Sequence, residues 1–386
     1  MEFKEALTLK AELTKHRRHL HENPEIGFSL DETKAYVLNV LKEYGYAPTP
    51  CGKCGITATV GKGEKCILLR ADMDALPISE QTNLPYKSKK ENQMHACGHD
   101  MHTAMLLGAA KLLKANEDVL KGTVKLMFQP AEEILSGAKD MIKNGVLENP
   151  KPDCALMIHV STGLPQKAGT IIISAPGTVA PSADHFEITV TGKGCHGSTP
   201  QNGTDPILAG AHILSAVSAL QTREFSGTPI TLTFGSFRAG NCANAIPETA
   251  TLSGTLRMFD EPERVQFKAR LTTMVQDLAK SFGTTASVNF FAGCPSLICD
   301  EKLATLGLKI FPNSINAGSF PKKASGSEDF AYISHQTPSL LINIAAGDSR
   351  NGFSHPLHNA KTTFDESALP VGSFVYAKFA ESYLRE

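Results

Sequence analysis

An α/β fold with a mainly parallel sheet, interrupted by an inserted ferredoxin-like α+β domain, is predicted by three features of the sequence. Short apolar runs alternate with helical stretches from Cys66 to Ile158. A different order, strand, helix, two strands, helix and strand, fills Asp184 to Phe291. The first pattern then resumes after Pro295. Continuous apolar strands separated by helices belong to a parallel sheet covered on both faces. The βαββαβ order belongs to a ferredoxin-like sandwich. At 386 residues the chain fits about two domains. The expected boundaries are 1–180 with 294–386 for the first and 181–293 for the second.

Taken in order, Leu7 to His21 and Thr33 to Tyr44 carry helical apolar spacing, separated by the loop signal Asn23-Pro-Glu-Ile-Gly27. Strands are expected at Cys66–Leu69, Gly122–Phe128 and Cys154–Ile158, with helices at Thr103–Ala115 and Ala138–Asn144. In the second domain Asp184 to Val190 alternates like a half-exposed strand. A helix follows at Asp205–Thr222, strands at Ile230–Phe237 and Thr249–Met258, a helix at Pro262–Phe282 and a strand at Ala286–Phe291. The chain closes with a strand at Ser339–Ile344 and a helix at Leu369–Leu384.

Composition excludes several roles. Net charge is −1 and no Lys/Arg block stands out, so nucleic-acid and membrane-surface partners have no electrostatic support. The polar start Met1-Glu-Phe-Lys-Glu5 lacks the basic-then-apolar order of a signal peptide, and no apolar run reaches membrane-spanning length. Nine cysteines, scattered from Cys51 to Cys299, suit reduced thiols in a cytoplasmic setting better than a disulfide framework. Cys51-Gly-Lys-Cys54 could be a redox pair or half a zinc ribbon. It has no second Cys-x-x-Cys and sits in a Gly/Pro-rich turn, not at a helix start. No Gly-x-Gly-x-x-Gly or phosphate loop follows a strand.

The chemistry concentrates around His95, Cys97, His99, Asp100 and His102, which lead into an apolar helix. Thiolate and neutral imidazole are the ligands that Zn²⁺ and similar ions select. The alternative is a polar loop of solvated histidines. In open α/β sheets ligands bind beyond the carboxyl ends of the strands. Three strands here run into candidate residues: the first into Arg70-Ala-Asp72-Met-Asp74, the second into Gln129-Pro-Ala-Glu132-Glu133, the third into His159. Adjacent carboxylates point apart, so one of Glu132 and Glu133 can bind a metal while the other handles a proton. A coordinated cation lowers the pKa of water from about 15.7 towards 7. A neighbouring carboxylate can take that proton and pass it to a leaving amine. Asp72 and Asp74 are candidates for orienting a ligand histidine or bridging ions. His358 is a further candidate ligand.

These residues resemble the M20 metallopeptidase/amidohydrolase family. The resemblance rests on Leu69-Arg-Ala-Asp-Met-Asp-Ala-Leu-Pro77, His95-Ala-Cys-Gly-His-Asp-Met-His102, Gln129-Pro-Ala-Glu-Glu133 and Gly194-Cys-His-Gly-Ser-Thr-Pro200. It continues through Asn244-Ala-Ile-Pro-Glu248, Gly326-Ser-Glu-Asp-Phe330 and Leu357-His358, spanning Leu13 to Glu381. The Cys-Gly-His form is similar to the N-acyl-amino-acid amidohydrolases, the subgroup of hippurate hydrolases, auxin-conjugate hydrolases and N-acetyldiaminopimelate deacetylases.

The resemblance implies a homodimeric amidase with two divalent ions per subunit, Zn or Mn, with Co or Ni as further options. The implied ligands are Cys97, His99, Glu133, His159 and His358, with Glu132 as general base. Asp72 matches an aspartate that supports the metal site, although Arg70 replaces a metal-binding His found in other branches. The inserted domain matches a lid and dimerisation domain. There His196 matches a histidine that reaches the partner's active site, and Asn244 and Arg257 match contacts to the substrate carboxylate. The implied substrate is a small N-acyl amino acid. The rivals are a dipeptidase or carboxypeptidase of the same family and a non-catalytic metal or redox sensor using Cys51, Cys54 and Cys97.

Overall fold

The computed structural model describes residues 1–319 and 326–386. It separates into two compact units. One comprises Met1–Val179 and later segments from Ile298 onward, ending in Asp329–Glu386. The other comprises Ala180–Leu297, joined by the short segment that holds Ser327.

In chain order the elements that matter for the site are α1 Lys10–Glu22, α2 Asp31–Glu43, β1 Gly55–Gly61, β2 Cys66–Asp72, α3 His99–Ala115, β3 Thr123–Gln129, α4 Gly137–Lys143 and β4 Cys154–Ser161. The second unit holds β5 Ala183–Thr191, α5 Pro206–Ala219, β6 Ile230–Ala239, β7 Thr249–Met258, α6 Glu261–Ser281 and β8 Thr285–Cys294. The first unit resumes with β9 Ser339–Ala345 and α7 Leu369–Arg385.

The first unit is built on an eight-stranded sheet whose centre runs β1, β3, β2, β4, β9. The pairs β2/β3, β2/β4 and β4/β9 are parallel, while β1 joins β3 antiparallel. Every residue of β2 and β3 is buried, because helices cover both faces. Fourteen of the 17 residues of α3 are buried, so this helix lies inside the unit. Tyr376 of α7 ties two central strands together. Its hydroxyl donates to the Arg70 carbonyl (2.5 Å) and accepts from the Ile158 amide (3.0 Å), just beyond the last β2/β4 pair.

The second unit is a four-stranded antiparallel sheet in the order β6, β7, β5, β8. Its core joins Phe186, Ile188, Val190, Leu252 and Leu256 of the sheet to Ile213 and Val217 of α5 and to Phe267, Leu271 and Val275 of α6. The β5–α5–β6–β7–α6–β8 order is the one the sequence pattern predicts.

Among the differences from the sequence reading, two bear on the site. Strand β1, with Gly at both ends, gave no strand signal of its own. Helix α3 begins at His99, not Thr103. Its N-cap is Gly98 in the left-handed conformation (φ +87°), with no Ser, Thr, Asp or Asn cap to mark the start. His99 and His102 therefore share the first turn of a buried helix instead of a solvated loop.

Candidate metal centre

The centre lies in the first unit, at the carboxyl ends of β2, β3 and β4. Two of the imidazoles there are oriented by a hydrogen bond from Nδ1. His99 Nδ1 donates to the Asp74 carbonyl (2.8 Å), and His159 Nδ1 donates to the Val160 carbonyl (2.7 Å). In the neutral form both rings therefore carry their lone pair on Nε2, the tautomer a ligand histidine needs. The Cys97 sulfur lies 3.6 Å from His159 Nε2 and 3.3 Å from His358 Nε2. Glu133 Oε1 is 3.8 Å from His99 Nε2 and 3.6 Å from His358 Nε2. Two triads result, Cys97/His99/His159 and Cys97/Glu133/His358, each with its donor atoms within 4.8 Å of one another. Cys97 belongs to both.

A divalent ion fits this donor set. Ligands held at 2.0–2.3 Å around a tetrahedral ion lie about 3–4 Å apart, the spacing seen here. Glu133 Oε1 and His99 Nε2 are buried and make no hydrogen bond among the described residues. The electrostatics of the bare protein agree. Burial, then the Glu133 carboxylate, pushes the Cys97 thiol well above its usual range. Burial, with Asp74 and Asp72 nearby, raises Glu133 to about 7. Burial, with His102 alongside, pulls His159 down to about 3. A cation reverses the first two costs and takes the free His159 imidazole as ligand; at His99, which against its burial Asp72 and Cys97 raise well above the usual range, it displaces a proton.

Backbone strain concentrates at the same place. Gly98, Ala131 (φ +56°) and His358 (φ +63°) all adopt left-handed backbone. For the two non-glycine residues this costs roughly 1–2 kcal/mol each, the kind of strain that collects at functional sites. The Gly98 position admits no side chain, since a Cβ there would stand 2.5 Å from Val160 Cγ2 and 3.0 Å from Phe364 Cζ. Gly98→Ala is expected to spread Cys97 from His99, lowering both the melting temperature and the bound-metal content. A variant with wild-type metal content by elemental analysis would show that the loop tolerates a left-handed alanine.

The surroundings add residues that the sequence reading left without a role. His102 cannot ligate, because both its nitrogens are taken. Nδ1 meets Asp72 Oδ1 at 2.6 Å and Nε2 accepts from the Val160 amide at 2.8 Å. Asp72 also accepts from Arg70 Nη1 (2.7 Å), and its Oδ2 lies 3.7 Å from His99 Nε2. Burial works against its charge, but His99, Arg70 and His102 together hold it well below the usual carboxylate range. Arg70 reaches on to Gln129 Oε1 (2.8 Å) and Asp329 Oδ1 (3.2 Å). Arg70 thus anchors a buried polar network under the centre. His102 had a weak signal, its place three residues after His99 on one helix. The partnership of Arg70 with Asp329 had none.

His196, Asn244 and Arg257 lie in the second unit. His196 pairs with Ala245 across a two-stranded ladder, and the Gly197 amide donates to the Asn244 carbonyl (2.7 Å). The Ser198 amide donates to His196 Nδ1 (3.1 Å), so a neutral ring carries its proton at Nε2. Arg257, on β7, donates to the Ser327 hydroxyl (2.6 Å). Cys51 and Cys54 are free, buried thiols with separate partners. Cys51 points to the carbonyls of Met141 and Asn144, Cys54 to that of Phe28, and burial raises both thiols.

Comparison with known proteins accords with this geometry. The model of Peptidase family M20/M25/M40 matches residues 68–382. The chain is 36% identical to N-acetyl-L-cysteine deacetylase of Bacillus subtilis, over 98% of this chain and 89% of that protein. It is 34% identical to thermostable carboxypeptidase 2 of Saccharolobus solfataricus, over 94% and 93%. A crystal structure of a Bacillus subtilis protein described as a dinuclear metal binding peptidase superposes with a TM-score of 0.82 at 32% identity, covering 98% of this chain and 99% of that one. With most of its length matched by the family model and near-complete alignment to relatives above 30% identity, the chain belongs to peptidase family M20/M25/M40.

Proposed function

We propose that this enzyme is a metal-dependent amidohydrolase that cleaves the amide bond of N-acyl amino acids, releasing a carboxylic acid and the free amino acid. The observation that carries the reading is the pair of ligand triads sharing Cys97, set beside Glu132, in a chain similar to an N-acetyl-L-cysteine deacetylase. Cys97, His99, Glu133, His159 and His358 would hold two divalent cations, Zn²⁺ or Mn²⁺, with Co²⁺ or Ni²⁺ as further options, since affinity order does not decide occupancy in a cell. The cations would supply Lewis-acid polarisation of the acyl carbonyl and acidify the attacking water.

The chain's own residues do the rest. Glu132 takes a proton from water and returns it to the departing amine. Asp72 holds the ring of His102 and sets the charge around His99. Residues 181–293 act as a lid and dimerisation domain on a catalytic domain formed by 1–180 and 294–386. There Asn244 and Arg257 receive the substrate carboxylate, for which a guanidinium is suited by its bidentate fork. Nine free thiols suit a cytoplasmic setting. The carboxypeptidase relative keeps peptide hydrolysis as the second reading. An amine-release screen on N-acetyl, N-benzoyl and indole-acetyl amino acids against dipeptides, after loading with each metal, separates the two. Faster turnover of dipeptides would overturn the first.

In this reading His196 acts across the dimer, offering a proton from Nε2 to the oxyanion of the attacked carbonyl. Glu132→Gln and His196→Ala homodimers should each be nearly inactive. Mixed in equal amounts and reassembled at random, they should regain roughly a quarter of wild-type sites, because one site per heterodimer then has both residues. No recovery, with subunit exchange verified by mass spectrometry, would place His196 in its own subunit's chemistry or in none.

A further inference from the structure

We propose that Asp74 is the positioning residue of the metal centre, its carboxylate directing Glu132 and Glu133 and its main-chain carbonyl directing His99. The proposal rests on the reading of Glu132 as base and of Glu133 and His99 as ligands.

Asp74 is fully buried, two residues past the end of β2. Its backbone is pinned on both sides. The Met73 amide donates to the Gln129 carbonyl (2.8 Å) and the Ala75 amide to the Glu25 carbonyl (2.7 Å). Its carboxylate grips two consecutive amides, Oδ1 accepting from Glu132 N–H (2.9 Å) and Oδ2 from Glu133 N–H (3.1 Å). Those amides follow Ala131, whose left-handed backbone turns them the same way. Successive main-chain N–H groups in such a turn form a concavity that binds anions. In this chain the anion is an internal carboxylate.

The consequence is geometric. Side chains on consecutive residues diverge, so their directions follow from the peptide plane between them. A carboxylate bound at both oxygens fixes that plane, and with it where Glu132 and Glu133 leave the backbone. The same residue, through its carbonyl, holds the proton of His99 on Nδ1 and leaves Nε2 facing the centre. Asp74 therefore sets three functional groups from one rigid point. An asparagine there would keep one acceptor but turn an NH₂ donor towards the second amide, and a serine would reach only one of them.

Three measurements test this on the full-length protein. In the wild type, with and without cation, the Glu132 and Glu133 amides should exchange with solvent at least about tenfold more slowly than in an open loop. In Asp74→Asn and Asp74→Ser, zinc affinity by chelator competition and kcat at saturating metal should each fall about 10- to 100-fold. KM should change by less than about threefold, since substrate contacts are untouched. Rapid exchange of both wild-type amides overturns the proposal, whatever the variants do. So does a variant with lowered melting temperature but unchanged zinc affinity and kcat, because Asp74 would then be an anchor only. If Glu132→Gln proved fully active, the base assignment would fall, while amide protection and zinc affinity would still report on Asp74.

Discussion

Glu132→Gln is expected to keep its metal content and lose about 10²- to 10⁴-fold in kcat, the usual span of a general-base contribution. Glu133→Gln is expected to lose metal instead. The division follows from where the two carboxylates stand. Glu133 Oε1 is near two candidate ligand nitrogens, 3.8 Å from His99 Nε2 and 3.6 Å from His358 Nε2, and shares a triad with Cys97. Glu132 Oε2 comes within 3.9 Å of His99 Nε2 and clusters with His99 and Glu133, but it belongs to neither triad that contains Cys97. Glutamine keeps the shape and burial of either side chain but cannot take a proton and ligates weakly. Elemental analysis and steady-state kinetics on both variants decide the matter. A metal-free Glu132→Gln protein beside a metal-replete Glu133→Gln protein would reverse the two roles.

The fold was largely legible because period and length separate strands from helices here. Leu68 and Leu69 lie in a strand buried on both faces, and Asp184 to Val190 in one buried on a single face, and each pattern is distinct. The gathering of Cys97, Glu133 and His159 was legible for a related reason, since parallel strands deliver their carboxyl ends to one edge. What escaped depends on contacts without local signature. Arg70 and Asp329 lie 259 positions apart and meet only in the folded sheet. His102 read as one more member of a histidine-rich run, and only the Val160 amide on its Nε2 removes it from the ligand set. The start of α3 was misplaced because a left-handed glycine caps it, a signal that also fits an ordinary turn.

Removal of divalent cations is expected to abolish activity, and adding them back to the same protein should restore it. The cause lies in the packing of the bare centre. Two buried donor atoms with no hydrogen bond among the described residues, His99 Nε2 and Glu133 Oε1, stand 3.8 Å apart beside a buried thiol. Each such group costs about 1–3 kcal/mol when left unmade, so the stripped protein should also be less stable. A ligand that binds only the folded chain stabilises it by about 4 kcal/mol at a thousand times its dissociation constant. A clear fall in melting temperature should therefore accompany chelation, and both losses should reverse together on titrating zinc or manganese back. Mild acid should mimic chelation, because histidine and cysteine bind metal only when deprotonated. Full turnover by protein shown metal-free by elemental analysis would remove the cations from the reaction, and with them the assignment of Cys97, His99, Glu133, His159 and His358 as ligands. Loss of stability with activity intact would instead make the centre a structural one.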